Sequence, residues 1–470
     1  MLLVNTNLMK PPVAPLALDY LASALEGFEV NLLDLCFAED YAQEIDRYFA
    51  SNSVAAIALT LRNTDDTHFS GQDFFVPTLK EIADHLKSHT SAPLILGGAG
   101  FSIMPEAILQ FCKLDLGIWG EGEYSLPLLI KKIAAGEGYR DVPGLIYRAK
   151  EGFRRNRPRY LDLKAMPPPE RKTVDNRRYF AEGGMGSIEA KRGCAKACIY
   201  CADPLGKGRR TRMRSPKSVV DEIEALLHMG IDHLHFCDSE FNLPPSHAEA
   251  VCLEIISRGL GSKVSWYAYC SPALFSQELA TLFQRAGCAG INFGVDSAND
   301  RMLRTLGRDF TVYDLEGTAG ICHRQGIVFM YDLLLGGPGE TRDSLRQTIE
   351  MMKRLSPHRV GAALGIRVFP GTRLASLVRR EGPIANNPNL HGARDDNFLA
   401  PVFYLSSTLG DNAPQYLAGL IQGDKRFFSA FADAGDQNYN YNQNELLVQA
   451  IRDGHRGAFW DILRQLGESR

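Results

Sequence analysis

The sequence predicts an α/β protein of two successive parallel-sheet units: an N-terminal doubly wound, Rossmann-like domain, then a partial (βα)6 TIM-type barrel, followed by a small, mainly helical C-terminal region. Three observations carry that prediction. Short β-branched or Leu-rich runs alternate with longer amphipathic stretches across residues 1–147. The alternation lapses across 148–185, a linker rich in Arg and Pro. It returns with a new set of repeats across 186–378 and breaks into loops and helices across 379–470. The 470 residues are 45% hydrophobic and 23% charged, ordinary globular usage that excludes disordered, collagen-like and coiled-coil classes.

In the first unit, strands are expected at Leu2–Asn5, Glu29–Leu33, Val54–Leu59, Leu94–Gly97 and Leu116–Trp119. Helices are expected at Leu16–Leu25, Tyr41–Ala50, Phe75–Leu86, Pro105–Phe111 and Tyr124–Ala134. Ligands of such sheets sit beyond the carboxyl ends of the strands, so the informative loops are Asn5–Pro15, Thr60–Asp66, Gly97–Met104 and Gly120–Glu123. The linker offers only a small hairpin at Leu145–Arg159. In the second unit, strands are expected at Ser187–Lys191, Asp232–Cys237, Lys263–Cys270, Gly290–Asp296, Ile327–Leu335 and Arg359–Val368. The clearest helix between them starts at Ser215-Pro216, where Ser caps the first turn and Pro needs no N–H. Six repeats make an open partial barrel. In the last region, Glu445–Leu466 is helical, with Gly454 and Gly457 able to split it. The apolar FLAPVFYL (Phe398–Leu405) suits a pocket wall or a barrel plug, and Asn438–Asn442 (NYNYN) a turn cluster or part of a lid.

The net charge of −3 gives no electrostatic reason for general binding to nucleic acid or a membrane surface. The apolar runs end well short of the ~18 residues of a spanning helix, so no membrane span is expected. Ten cysteines are few for a disulfide scaffold of this size, and MLLVNTNLMKPP lacks the basic start and apolar run of a signal peptide; a reducing cytoplasm is expected. The basic run Lys207, Arg209, Arg210, Arg212 and Arg214 is read as a solvated loop or as partners for carboxylates.

Cys194, Cys198 and Cys201 follow a predicted strand on a loop that begins with Gly193. Three soft thiolates so close in sequence suit an iron–sulfur cluster or zinc. A structural zinc needs four ligands, and no fourth Cys or His stands within a few residues. Three ligands leave one coordination position open for substrate. Of the remaining cysteines, Cys112, Cys237, Cys252, Cys270 and Cys288 fall in apolar patterns and read as core.

KRGCAKACIYC (Lys191–Cys201) resembles the cluster loop of radical S-adenosylmethionine enzymes, including aromatic Tyr200 before the last cysteine. HFCDSEFN (His235–Asn242), GVDSANDRMLRTLGRDFT (Gly294–Thr311), DLLLGGPGET (Asp332–Thr341) and RVFPGT (Arg367–Thr372) extend the resemblance in the family's order. Asp296 and Arg308 stand where the family usually has Glu and Lys. The resemblance implies that Cys194, Cys198 and Cys201 hold a 4Fe-4S cluster, with S-adenosylmethionine on the fourth iron. It implies S-adenosylmethionine contacts from Tyr200, Asp238, Ser239, Glu240, Asp296, Ser297, Arg308, Gly336, Gly337 and Arg367. It also implies reductive cleavage of S-adenosylmethionine with an electron from a low-potential donor such as flavodoxin or ferredoxin.

The N-terminal unit resembles the cobalamin-binding module of one large subfamily, through PPVAPLALDYLA (Pro11–Ala22), GGAGFSIMPE (Gly97–Glu106) and GEGE (Gly120–Glu123). The Asp-x-His-x-x-Gly signature that ligates cobalt elsewhere is absent, which leaves Thr60, Leu61 and Arg62 to face the lower side of the corrin. Gly97, Gly98, Gly100 and Glu121 complete the implied cobalamin site. The implied function is a cobalamin-dependent methyltransferase acting on an unactivated carbon of a small molecule or natural product, with no nucleic-acid partner. The alternatives are non-methylating radical chemistry over a scaffold domain without cobalamin, and a zinc-stabilised binding protein.

Overall fold

The computed structural model describes residues 1–393, 395–428 and 442–468; residues 438–441 of the NYNYN segment lie outside the described residues. The N-terminal sheet contains β1 (Leu2–Asn5), β2 (Asn31–Asp34), β3 (Ile57–Thr60), β4 (Leu94–Gly97), β5 (Leu116–Ile118), β6 (Leu145–Ala149) and β7 (Gly152–Arg155). Their order is β2-β1-β3-β4-β5-β6-β7, parallel through β5 and antiparallel after it. Helices cover both faces, so the strands read as continuous apolar runs. Leu2 and Val4 enter one core and Leu3 the opposite one, as the two-residue repeat of a strand requires. The chain switches direction between β1 and β3, the crevice where such sheets take their ligands.

The hairpin expected in the linker is part of this sheet, which runs to Arg155, beyond the expected boundary at residue 147. Its outer strand reads GFRR, and arginines on an edge strand discourage pairing with another chain. The same charges obscure its apolar pattern in the sequence.

The second unit contains β8 (Gly186–Ile188), β9 (Lys191–Arg192), β10 (Arg212–Met213), β11 (His233–Phe236), β12 (Ser265–Cys270), β13 (Cys288–Asp296), β14 (Phe329–Leu335) and β15 (Arg359–Leu364). After it come β16 (Ile366–Arg367), β17 (Leu390–Gly392), β18 (Val402–Tyr404) and β19 (Phe427–Phe428). The large sheet is wholly parallel in the order β19-β15-β14-β13-β12-β11-β8, an open barrel to which β19 adds a short edge strand. Trp266, Phe236, Phe293 and Tyr331 turn outward into the core shared with the helices. Their neighbours in sequence therefore face the barrel interior.

The C-terminal region is less helical than expected, because β16, β18 and β17 form a small antiparallel sheet. Phe398–Leu405 supplies β18 and buried packing for that sheet, and no residue of the segment lines the cavity described below. The last helical stretch is split as Gly454 and Gly457 suggested, into Glu445–Arg452 and Phe459–Glu468. These helices close the amino-terminal end of the barrel. Tyr267 stacks edge-on to Trp460 at 6.2 Å and donates a 2.9 Å hydrogen bond to Asp461.

Buried ion pairs join the units. Glu222, in the helix Pro216–His228, accepts from Arg171 Nε at 2.8 Å, Arg214 Nη1 at 2.6 Å and Tyr20 Oη at 3.3 Å. Arg171 also donates to the Ser187 carbonyl at 2.6 Å and lies 3.7 Å from Asp19 of the first N-terminal helix. At the other side, Arg367 donates to Asp65 at 3.0 Å and to the carbonyls of Phe398 and Leu399. Removing one member of such a cluster leaves the others charged and unpaired. Glu222→Ala is expected to cost about 3–5 kcal/mol in denaturant unfolding, against less than about 0.5 kcal/mol for Ala at exposed Lys217.

Candidate functional site

The carboxyl ends of both sheets open into one cavity of about 1200 Å³. A single drug-sized ligand occupies about 300–1,000 Å³, so the space suits more than one large ligand. One wall is made by the loops after β1, β3, β4 and β5, through Thr60, Arg62, Asn63, Gly97, Gly98, Gly100 and Glu121. The other is the barrel mouth with Tyr200, Cys201, His235, Asn292, Asp296 and Asp332.

The cysteine loop leaves β9 at Gly193, whose φ of +85° suits glycine and whose missing Cβ would sit 2.3 Å from the Arg210 carbonyl. Backbone bonds fix its far side: the Ile199 N–H donates to the Leu306 carbonyl at 3.0 Å, and the Ile199 carbonyl accepts from the Leu374 N–H at 2.8 Å. Around a single zinc, thiolates at 2.3 Å would stand about 3.8 Å apart. Among the described residues, the one trio of ligand atoms all within 4.8 Å of one another is Asp46, His85 and His89, on two N-terminal surface helices. The three thiols are spread more widely, which fits a cluster in preference to one ion. Burial raises the pKa of all three, that of Cys201 to about 12.

Charged groups crowd the loop. Arg308 Nη1 lies 3.1 Å from Cys198 Sγ, and its guanidinium stands 3.5 Å from both Glu240 and Asp296. Tyr200 donates to Asp296 at 2.6 Å, which with burial pushes the phenol well above its ordinary pKa. Asp296 has a φ of +65°, in a segment where the β13–β14 register slips. A strained non-glycine residue of this kind turns its carboxylate where a regular strand would not. Glu240 Oε2 is buried without a hydrogen-bond partner, and burial raises this carboxyl's pKa. An orphaned carboxylate oxygen beside the cysteine loop is a ready acceptor for a cationic ligand group or a donor to iron.

The structure sorts the residues assigned from sequence. Tyr200, Glu240, Asp296 and Arg308 gather at the cysteine loop. Asp238 instead accepts from the backbone N–H groups of Ala190 and Lys191, and Ser239 donates to Asp203 at 2.8 Å. Ser297 pairs with Thr348 below the surface. Gly336 and Gly337 press on Leu405, Leu306 and Ile366, so their small size serves packing. Arg367 reaches the cavity edge with its guanidinium committed to Asp65 and three carbonyls.

In the N-terminal wall, Leu61 turns into the hydrophobic core at 4% exposure, because it alternates with Thr60 and Arg62. Gly98 and Gly100 are small for a reason within the fold: a Cβ would meet the backbone of Leu61 at 2.4 Å and of Asn63 at 2.8 Å. Glu121 lines the cavity and is paired with Arg212 at 2.6 Å. Arg214 of the basic run is paired likewise, with Glu222, and Lys207 with Asp203 at 3.1 Å. Cys237, expected in the core, is exposed to the cavity.

Sequence reasoning missed His235, Tyr269, Asn292, Asp332 and Trp460, all cavity-lining. The two-residue repeat of β11 to β14, read from the outward aromatic residues, would have marked the first four. Burial lowers the His235 pKa to about 4, helped by the charge of Arg62, so its imidazole is neutral at physiological pH.

Comparison with known proteins matches residues 188–352 to the Radical SAM superfamily and residues 4–130 to the B12 binding domain. Tryptophan 2-C-methyltransferase of Streptomyces laurentii is 34% identical, over 97% of this chain and 94% of its own. The structure of the radical S-adenosylmethionine methyltransferase TsrM from Kitasatospora setae, with tryptophan substrate and a SAM analogue, is similar with a TM-score of 0.92 at 32% identity. That match covers 100% of this chain and 98% of TsrM. A second TsrM structure, with cobalamin and a [4Fe-4S] cluster bound, has a TM-score of 0.89 at 31% identity, covering 99% and 97%.

Cys198→Ala is expected to abolish the brown absorbance and most bound iron while leaving the circular dichroism unchanged. Gly98→Ala, which forces the β3 and β4 loops apart, is expected to lose cobalamin on desalting while iron content stays near that of the unaltered protein.

Proposed function

The chain belongs to the cobalamin-dependent radical S-adenosylmethionine methyltransferases, and from that premise we propose that it methylates C2 of tryptophan or a close indole relative. The observation that carries this reading is the single cavity that joins the cysteine loop, the B12-type loops and an aromatic barrel interior. Near-complete mutual coverage with a tryptophan 2-C-methyltransferase supports it.

Bound in that cavity, S-adenosylmethionine would be the methyl source, a 4Fe-4S cluster would offer it an open iron, and cobalamin would supply methyl-carrier chemistry. Cys194, Cys198 and Cys201 are the cluster ligands in this reading. Arg308 stabilises the Cys198 thiolate by its charge, and Tyr200 and Asp296 orient the donor's polar end. The unpartnered Glu240 oxygen would accept from the donor's amino group or ligate the open iron. Thr60, Arg62, Gly97, Gly98 and Gly100 form the corrin wall. Arg62 is a permanent cation with no lone pair to offer a metal, so it would line the corrin rather than ligate cobalt.

A low-potential electron donor such as flavodoxin or ferredoxin, a cytoplasmic setting and the lack of a nucleic-acid partner belong to the same proposal. The pairing of the basic run with carboxylates supports the last of these. No described helix is long and apolar enough to cross a membrane.

Anaerobic protein loaded with cluster and cobalamin, given S-adenosylmethionine and tryptophan, is expected to yield a product one methylene heavier that lacks the C2–H proton signal. Consumption of S-adenosylmethionine with tryptophan unchanged would overturn the assignment. 5′-Deoxyadenosine measured in the same reaction reports reductive cleavage of the donor.

A further inference from the structure

Two surface helices of the N-terminal unit bring together a set of donors that plays no part in the cavity. The helices Tyr41–Phe49 and Val76–His89 share one apolar core through Ile45, Ile82 and Leu86. Asp46 follows Ile45 and His85 precedes Leu86, so both stand where that core meets solvent. His89 lies one helical turn beyond His85, on the same face. His85 Nε2 is 2.7 Å and His89 Nε2 2.8 Å from a single oxygen, Asp46 Oδ1.

The surroundings favour a ligand set over an ordinary ion pair. Among the described residues, no Lys or Arg pairs with Asp46, whereas Asp84 on the neighbouring helix is paired with both Lys80 and Lys87. Phe49, itself packed on the core, stacks on His89 with ring centroids 5.4 Å apart and planes at 12°, which holds that imidazole in place. All three donor atoms lie within 4.8 Å of one another. A tetrahedral zinc, with bonds of about 2.1 Å, holds its ligand atoms about 3.4 Å apart. The half-exposed Asp46 and the partly exposed imidazoles can open by the few tenths of an ångström this requires.

We infer that Asp46, His85 and His89 form a binding site for a divalent transition ion, best matched by zinc. Two imidazoles and one carboxylate are donors that such ions prefer and that magnesium or calcium does not. Ligation through Nε2 leaves each ring's proton on Nδ1, and water completes the coordination. The residue after His85 is the buried Leu86, where a zinc hydrolase helix would carry a glutamate base, so the site is one for holding an ion. A bound ion would tie the two helices to each other.

The test is equilibrium dialysis of untagged holoenzyme, loaded with cluster and cobalamin, against zinc, with zinc and iron counted by mass spectrometry. One zinc is expected per chain, with the iron content unchanged and no displacement by excess magnesium. His85→Gln and His89→Gln should each weaken zinc binding at least about tenfold, the smaller loss typical even of an outer partner of a metal ligand. Asp84→Asn on the same helix should leave it unchanged. Asp46→His, which keeps three donors, should retain zinc where Asp46→Ala loses it, a contrast that a change in folding alone would not give. Zinc is also expected to slow amide hydrogen exchange in both helices of the unaltered protein and not in His89→Gln. No zinc bound, equal binding by the histidine variants, displacement by magnesium, or uptake only as iron is lost would overturn the site.

Discussion

Two buried arginines hold the mouths of two parallel sheets against each other, and everything at the site depends on that. Arg171 ties the linker to Glu222 and the Ser187 carbonyl, and Arg367 ties the barrel's last strands to Asp65 in the loop after β3. A buried ion pair adds little net stability over an apolar packing of the same shape, yet breaking it is expensive. Such pairs therefore act less as glue than as locks on a relative position. The wall built by Thr60, Arg62 and Gly98 and the wall built by Tyr200 and Asp296 belong to different units, and only this docking makes them two sides of one cavity.

Within that cavity the barrel face is layered. The cysteine loop with Arg308, Glu240 and Asp296 lies at the rim, Asn292 and Asp332 lie below it, and Tyr267 with Trp460 seals the base. Charge is densest at the rim and thins toward an aromatic floor. The strain at Asp296 falls at the boundary between these layers, where a bulge lets one side chain leave the regular alternation.

Much of this was legible in the sequence where the signal is local. Leu2–Asn5 and Leu94–Gly97 form strands with the expected bounds because both sheet faces are covered and their apolar runs are uninterrupted. The cysteine loop announced itself through spacing alone. The hairpin of β6 and β7 was placed in the linker because arginines interrupt its pattern. Arg367 was read from its motif as a ligand contact, but its partner Asp65 lies 302 positions away, beyond any local pattern. Ser297 sits in the right motif and pairs with Thr348, and a side chain at Gly336 or Gly337 would press on Leu405, Leu306 or Ile366, since a motif fixes a position in the chain and not its surroundings. Asn292 and Asp332 escaped notice because their types are ordinary and only their shared inward face makes them significant.

The buried cysteine thiols carry a consequence for how the protein matures. With pKa values raised by burial, all three hold their protons at physiological pH, and each must release one to ligate iron. Loading is thus an exchange of metal for protons, favoured as pH rises toward the thiol range and opposed as it falls. Once iron is in place a proton must compete with the bound metal for each sulfur. Acidification therefore acts first on newly made protein still waiting for its cluster, and the finished holoenzyme is the form least exposed to it.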